Sequence, residues 1–143
     1  MLYRESLVRS ASPVQLVISL YEQAIQDLRS AAAATRQHDI GARTGAINHA
    51  LAVIGQLQAS LDRERGGDVA RDLDRFYNNF RRNVLEAQIQ GSAEILEQEI
   101  QNLLVVHGAW LEVERASAAP PSGAAASASP AAADPSSPVD RSA

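Results

Sequence analysis

The residues of this 143-residue chain that could do chemistry are three histidines and several clustered carboxylates. Metal sites in helical bundles are built from Glu-x-x-His pairs, because that spacing turns a carboxylate and an imidazole to one side of a helix. None of His38, His49 and His107 has a Glu three residues upstream. His38 falls near a helix end, where solvent is expected. His49 lies beside an apolar stripe, and His107 sits on the inner side of its helix, as a core histidine with a hydrogen-bond partner. The chain has no Cys, which excludes disulfides and thiolate metal sites. Gly66-Gly67 lacks the Lys and Ser/Thr that complete a phosphate loop. The serines cluster at helix caps and near the end of the chain, not beside a histidine that could activate them. Glu94, Glu97 and Glu99, and the pair Asp72 and Asp74, read as solvated helix faces. Arg71, Arg75, Arg81 and Arg82 are placed to pair with acids one turn away. No catalytic, cofactor or metal constellation emerges, so the expected function is binding and not catalysis.

The elements that must present a binding surface are helical. Ser12 can cap a helix, Pro13 suits the first helical position, and Gln15 can complete a capping box. Val14, Val17, Ile18, Tyr21, Ala24, Ile25 and Leu28 follow as one apolar stripe. Leu16 and Leu20 lie off that stripe, one turn apart, and form a second apolar strip. A helix apolar on two sides needs cover on two sides, one a core and the other a face for something else. This first helix is expected over residues 13–37. Asp39 is placed to cap a second over 41–62, with Ile47, Ala50, Leu51, Ile54, Leu57 and Leu61 inward. A break at residues 65–67 follows, with Gly66 expected in the left-handed conformation and Asp68 as the next cap. The third helix is expected over 69–90, burying Val69, Leu73, Phe76, Tyr77, Phe80, Val84 and Ala87. Gly91-Ser92 separates it from a fourth over 93–115, with Leu96, Ile100, Leu103, His107, Trp110 and Leu111 inward. Short connections make consecutive helices antiparallel neighbours, so the fold class is all-α, an antiparallel four-helix bundle. No stretch alternates with the period of a strand.

The domain reading is a short helical docking segment at 1–11 carrying Leu2, Tyr3, Leu7 and Val8, a bundle at 12–115, and a disordered Ala/Pro/Ser-rich tail at 116–143. That tail holds one large aliphatic residue, Val139, too little apolar surface to offset its ordering entropy. It carries no PxxP with basic flanks. Net charge is −4, with 13 Arg and no Lys, so nucleic acid is not an expected partner. No apolar run has the form of a signal peptide, and none approaches the ~20 residues that span a bilayer. The protein is expected in the cytoplasm, without membrane insertion.

Several blocks in order now resemble a known family, the flagellin export chaperones of the FliS type. They are Tyr3, then ASP and LVISLYEQAI within residues 11–25, LD followed by GG at 61–67, FYNNFRRNVLEA at 76–87, and Trp110. The resemblance covers roughly residues 2–113. It implies an antiparallel four-helix bundle with a short N-terminal segment packed outside. It also implies a role: binding the disordered C-terminal segment of flagellin, blocking premature polymerisation, and delivery to the flagellar type III export gate. Two departures from the family pattern are Glu22-Gln23, where Asp-Gly is usual, and Gln88 in place of an Asn. The physics of such a client agrees. A disordered peptide that folds onto helix grooves presents anchors at helical spacing and needs an elongated apolar receiver. The candidate contact residues are Tyr3, Leu7, Leu16, Leu20 and Tyr21, of which Tyr21 also lies on the core stripe. The alternative reading is a helical adaptor or regulator that uses the Leu16/Leu20 strip, for example as a homodimer.

Overall fold

The computed structural model describes residues 12–118. The expected docking segment at 1–11, and the tail beyond residue 118, lie outside the described residues. Four helices follow in order: α1 Pro13–Arg36, α2 Ile40–Ala59, α3 Arg63–Gln90 and α4 Ala93–Ala118. At the start of α1 the Gln15 N–H donates to Ser12 Oγ at 3.1 Å, and the Ser12 N–H donates to Gln15 Oε1 at 3.0 Å. This reciprocal pair satisfies two N–H groups that a helix start leaves free. His38 stops the chain between α1 and α2 with a left-handed φ of 58°. Asp39 Oδ1 then accepts the Ala42 N–H at 3.0 Å and starts α2.

The turn after α2 departs from expectation. α2 ends at Ala59, short of Asp62, because Asp62 caps the next helix and takes the Arg65 N–H at 3.0 Å. Residues 63–66 already form a helical turn. The one non-helical residue is Gly67, at φ 53° and ψ −127°, whereas Gly66 is not left-handed. At the far end Gly91 closes α3 in the left-handed conformation, φ 62° and ψ 43°. Ser92 Oγ accepts the Ile95 N–H at 3.1 Å and opens α4.

α1 packs against α2 and α4, and α3 against the same two, so α1 and α3 sit on a diagonal. With connections this short the four helices alternate in direction. The shared core is Ile25, Leu28, Ile47, Ile54, Leu57, Tyr77, Phe80, Val84, Leu96 and Leu103 among others. Each fully buried side chain of this size contributes about 1.5–3 kcal/mol. The expected stripes of α1, α2 and α4 face this core, with their outer members half-buried. α3 differs at its start, where Val69 is 66 % exposed. Among the described residues, the end of the bundle where α1 and α3 begin and α2 and α4 finish is therefore less filled than the other.

Candidate functional site

α1 carries most of the candidate site. Leu16 and Leu20 are both half-buried, and Leu20 packs against the core. Tyr21, the next residue, has 0 % exposure. Its hydroxyl lies 2.7 Å from the Tyr77 hydroxyl, across the diagonal from α1 to α3. Burial pushes both phenols above their ordinary range, Tyr77 the further. Tyr21 is thus an interior residue and not part of an outer contact face. The α1 stripe turns it onto the aromatic cluster of Tyr77 and Phe76, whose rings meet edge-on at 5.7 Å. Tyr3 and Leu7 lie outside the described residues.

Polar groups fix α1 to its neighbours on both sides. Asp27, 9 % exposed, accepts from Gln23 Nε2 at 3.0 Å and sits 2.6 Å from His49 Nδ1 on α2. His107 Nε2 on α4 lies 2.9 Å from Glu22 Oε2, so the partner expected for this histidine is Glu22. The departure Glu22-Gln23 is therefore built into both seams of α1. Gln88, the other departure, donates to Thr44 Oγ1 at 3.2 Å and joins α3 to α2. Arg36 and Glu97 pair between α1 and α4.

The acidic face of α4 is not wholly solvated as expected. Glu99 is 3 % exposed and accepts from Asn83 at 2.9 Å and Asn102 at 3.1 Å. Burial raises its pKa against the opposing pull of the two amides. Asp74 behaves oppositely, held below the ordinary carboxylate range by hydrogen bonds from Gln58 and Arg63. Arg71 and Arg75 pair along α3 with Asp68 and Asp72, as their spacing suggests, but Arg81 bonds Gln58 and Arg82 bonds Asn79. Among the described residues, no group of three or more His, Asp or Glu is placed to hold a metal ion.

Two concave features lie at the less filled end. An open cleft of about 750 Å³ separates the first turn of α1, Ser12 to Gln15, from Leu111, Glu114 and Arg115 of α4. A smaller cavity of about 220 Å³ opens among Val17, Leu57, Val69, Leu73, Tyr77 and Trp110, so all four helices line it. Sequence reasoning placed these residues on inward stripes and missed the cavity. The available signal was the Gly66-Gly67 pair, since Gly66 is among the residues that line the cavity.

Four helices joined by polar seams, with an apolar strip beside the core and an apolar opening at one end, make this an all-α protein of the four-helix-bundle class. The family model described as "Flagellar protein FliS" matches residues 1–117. The chain belongs to this family. It is 35 % identical over 111 residues to the flagellar secretion chaperone FliS of Salmonella typhimurium, covering 76 % of this chain and 82 % of that one. It is 31 % identical over 106 residues to the flagellar secretion chaperone FliSB of Pseudomonas aeruginosa, covering 74 % and 84 %. To the flagellar secretion chaperone FliS of Vibrio cholerae it is 28 % identical over 109 residues, covering 76 % and 80 %. The family is one of chaperones and not of enzymes. Among the described residues no helix is long and apolar enough to cross a membrane.

Proposed function

We propose that this protein binds the C-terminal segment of flagellin in the cytoplasm, prevents its premature polymerisation, and passes it to the flagellar type III export gate. The observation that carries this reading is the second apolar strip of α1. Tyr21, Ile25 and Leu28 already fill the interior, while Leu16 and Leu20 on the same helix are only half-buried, Leu20 at the edge of the core. A packed domain gains little by leaving such side chains part-covered, whereas an amphipathic client helix gains by laying its own apolar face over them. Family membership supplies the class of client, since the relatives are named as flagellar secretion chaperones. Leu16 and Leu20 are the proposed anchors within the described residues. Tyr3 and Leu7 are proposed to extend the contact.

The test is co-purification of this chain with the C-terminal segment of flagellin from the same organism, followed by light scattering. The expected product is a one-to-one complex. A free protein that is an obligate dimer, with Leu16 and Leu20 buried between copies and no flagellin retained, contradicts the proposal and favours the adaptor reading.

A further inference from the structure

The second half of α3 carries charge and apolar surface that the bundle does not use. The earlier arginines of this helix, Arg63, Arg65, Arg71 and Arg75, each pair with a carboxylate. Arg81 and Arg82 do not. Arg81 donates to Gln58 Oε1 of α2 at 2.8 Å and Arg82 to Asn79 Oδ1 at 2.5 Å, both neutral acceptors. Arg43 of α2 joins them at the end of α3. Its Nη1 lies 3.4 Å from the position a Cβ on Gly91 would take, and its Nε has no hydrogen-bond partner among the described residues. Leu85 and Ile89 follow Arg81 in steps of four, so the three share one side of α3. Leu85 is 44 % exposed and Ile89 80 %. Ile40, one turn before the Thr44 that meets Gln88 of α3, is 65 % exposed. The acids nearest to these residues in the chain are already engaged, Asp39 by the Ala42 N–H and Glu86 by Gln90.

We propose that the apolar face of Ile40, Leu85 and Ile89, rimmed by Arg43, Arg81 and Arg82, docks an acidic amphipathic helix of a second protein. The whole chain carries a net charge of −4, so cations without carboxylate partners mark a local reversal of sign. Apolar side chains of the guest lie on Leu85, Ile89 and Ile40. Its Asp or Glu residues meet the guanidinium groups, whose planar fork matches a carboxylate. Charge of this sign draws in an acidic helix and selects against a basic one. A second copy of this chain fits less well, because a two-fold contact would set the same arginines against one another. The face lies where α2 begins and α3 ends, at the opposite end of the bundle from Leu16 and Leu20. The guest therefore sits beside a client on α1 and not in its place, and the inference stands apart from the flagellin reading.

The probe is a synthetic peptide of about 18 residues with Leu at helical spacing and Glu elsewhere, set against the same peptide with Lys for Glu. Each is titrated into the isotope-labelled full-length protein and followed by amide resonances. The Glu peptide should shift Ile40, Arg43, Arg82, Leu85 and Ile89 and leave Leu16 and Leu20 in place, and the Lys peptide should shift neither set. Raising salt from about 0.05 M to about 0.5 M should weaken the Glu peptide at least about fivefold. Ile89→Gln and Arg82→Glu, both at exposed positions, should each weaken it at least about fivefold while far-UV circular dichroism is unchanged. No shift with the Glu peptide overturns the proposal, as does an equal response to the Lys peptide or a response centred on Leu16 and Leu20. Three further results overturn it by naming another occupant. Loss of flagellin capture in Ile89→Gln assigns the face to the client, and self-association abolished by Ile89→Gln assigns it to a second copy. Binding of phosphatidylglycerol vesicles at these residues, with no response to the peptide, assigns it to a membrane.

Discussion

The Tyr21 and Tyr77 hydroxyls meet at 2.7 Å on side chains that are 0 % and 1 % exposed. Removing one hydroxyl leaves the other buried with a lost partner, which costs about 1–3 kcal/mol. Tyr77→Phe should therefore lower stability by roughly that amount in urea unfolding, and Tyr21→Phe/Tyr77→Phe together should cost less than the sum of the single changes. Equal additivity would show that the pair at 2.7 Å is not a coupled unit. Glu99 gives a pH prediction of defined sign. Burial raises its folded-state pKa above the ordinary 4.5, so the folded state holds the proton to higher pH than the unfolded chain. Well below 4.5 the carboxyl is neutral in both states and no penalty applies. As pH rises through the folded value, ionisation costs stability. Glu99→Gln should thus stabilise the protein at about pH 8, with a smaller effect at about pH 5, as read from urea midpoints. At this scale the sequence was least informative. Nothing in the run of Glu94, Glu97 and Glu99 marks the last as buried, because that depends on Asn83 arriving from another helix. The same limit hid the partners of His49 and His107, which lie 22 and 85 residues away in the chain.

Helix boundaries were legible wherever a local device sets them. The Ser12–Gln15 box, the Asp39 cap and the Gly91 stop are each written in a few adjacent residues, and each is present. The 60–68 stretch was misread because it offers two acids that could cap, Asp62 and Asp68, and two glycines that could turn. Propensity alone does not choose between them. The contact of Gly66 with Ala70 does, by leaving Gly67 as the residue free to take the unusual conformation. A 3.6-residue period places Leu16 and Leu20 beside the main stripe of α1, yet Leu20 packs against the core as Val17 of that stripe does. Tyr21 belongs to that stripe, and its type, large and tipped with a hydroxyl, suits either an interior or an interface. The element-scale prediction follows from the half-buried state of Leu20. Leu20→Glu should weaken binding of the flagellin segment at least about tenfold, as expected for an interface anchor, while far-UV circular dichroism stays helical. Loss of helicity in this variant would assign Leu20 to the core alone.

For the whole molecule, the fold class follows from four amphipathic stretches and three short connections, and little else was needed to read it. The open end was not legible, because incomplete filling is a property of four helices together. It appears as an exposed Val69, an exposed Val113 and a half-buried Trp110 on elements distant in sequence. The proposed client is a long disordered peptide, taken up along the half-buried strip of α1. Such binding orders the client and buries apolar surface, so it carries a negative heat-capacity change. Titration calorimetry of this protein with the C-terminal flagellin segment, repeated at several temperatures, tests that most directly. The expected result is a one-to-one complex with Kd below about 1 μM, a negative heat-capacity change, and helicity on mixing above that of the separate components. No heat and no added helicity at tens of μM, roughly −6 kcal/mol or weaker, would contradict it.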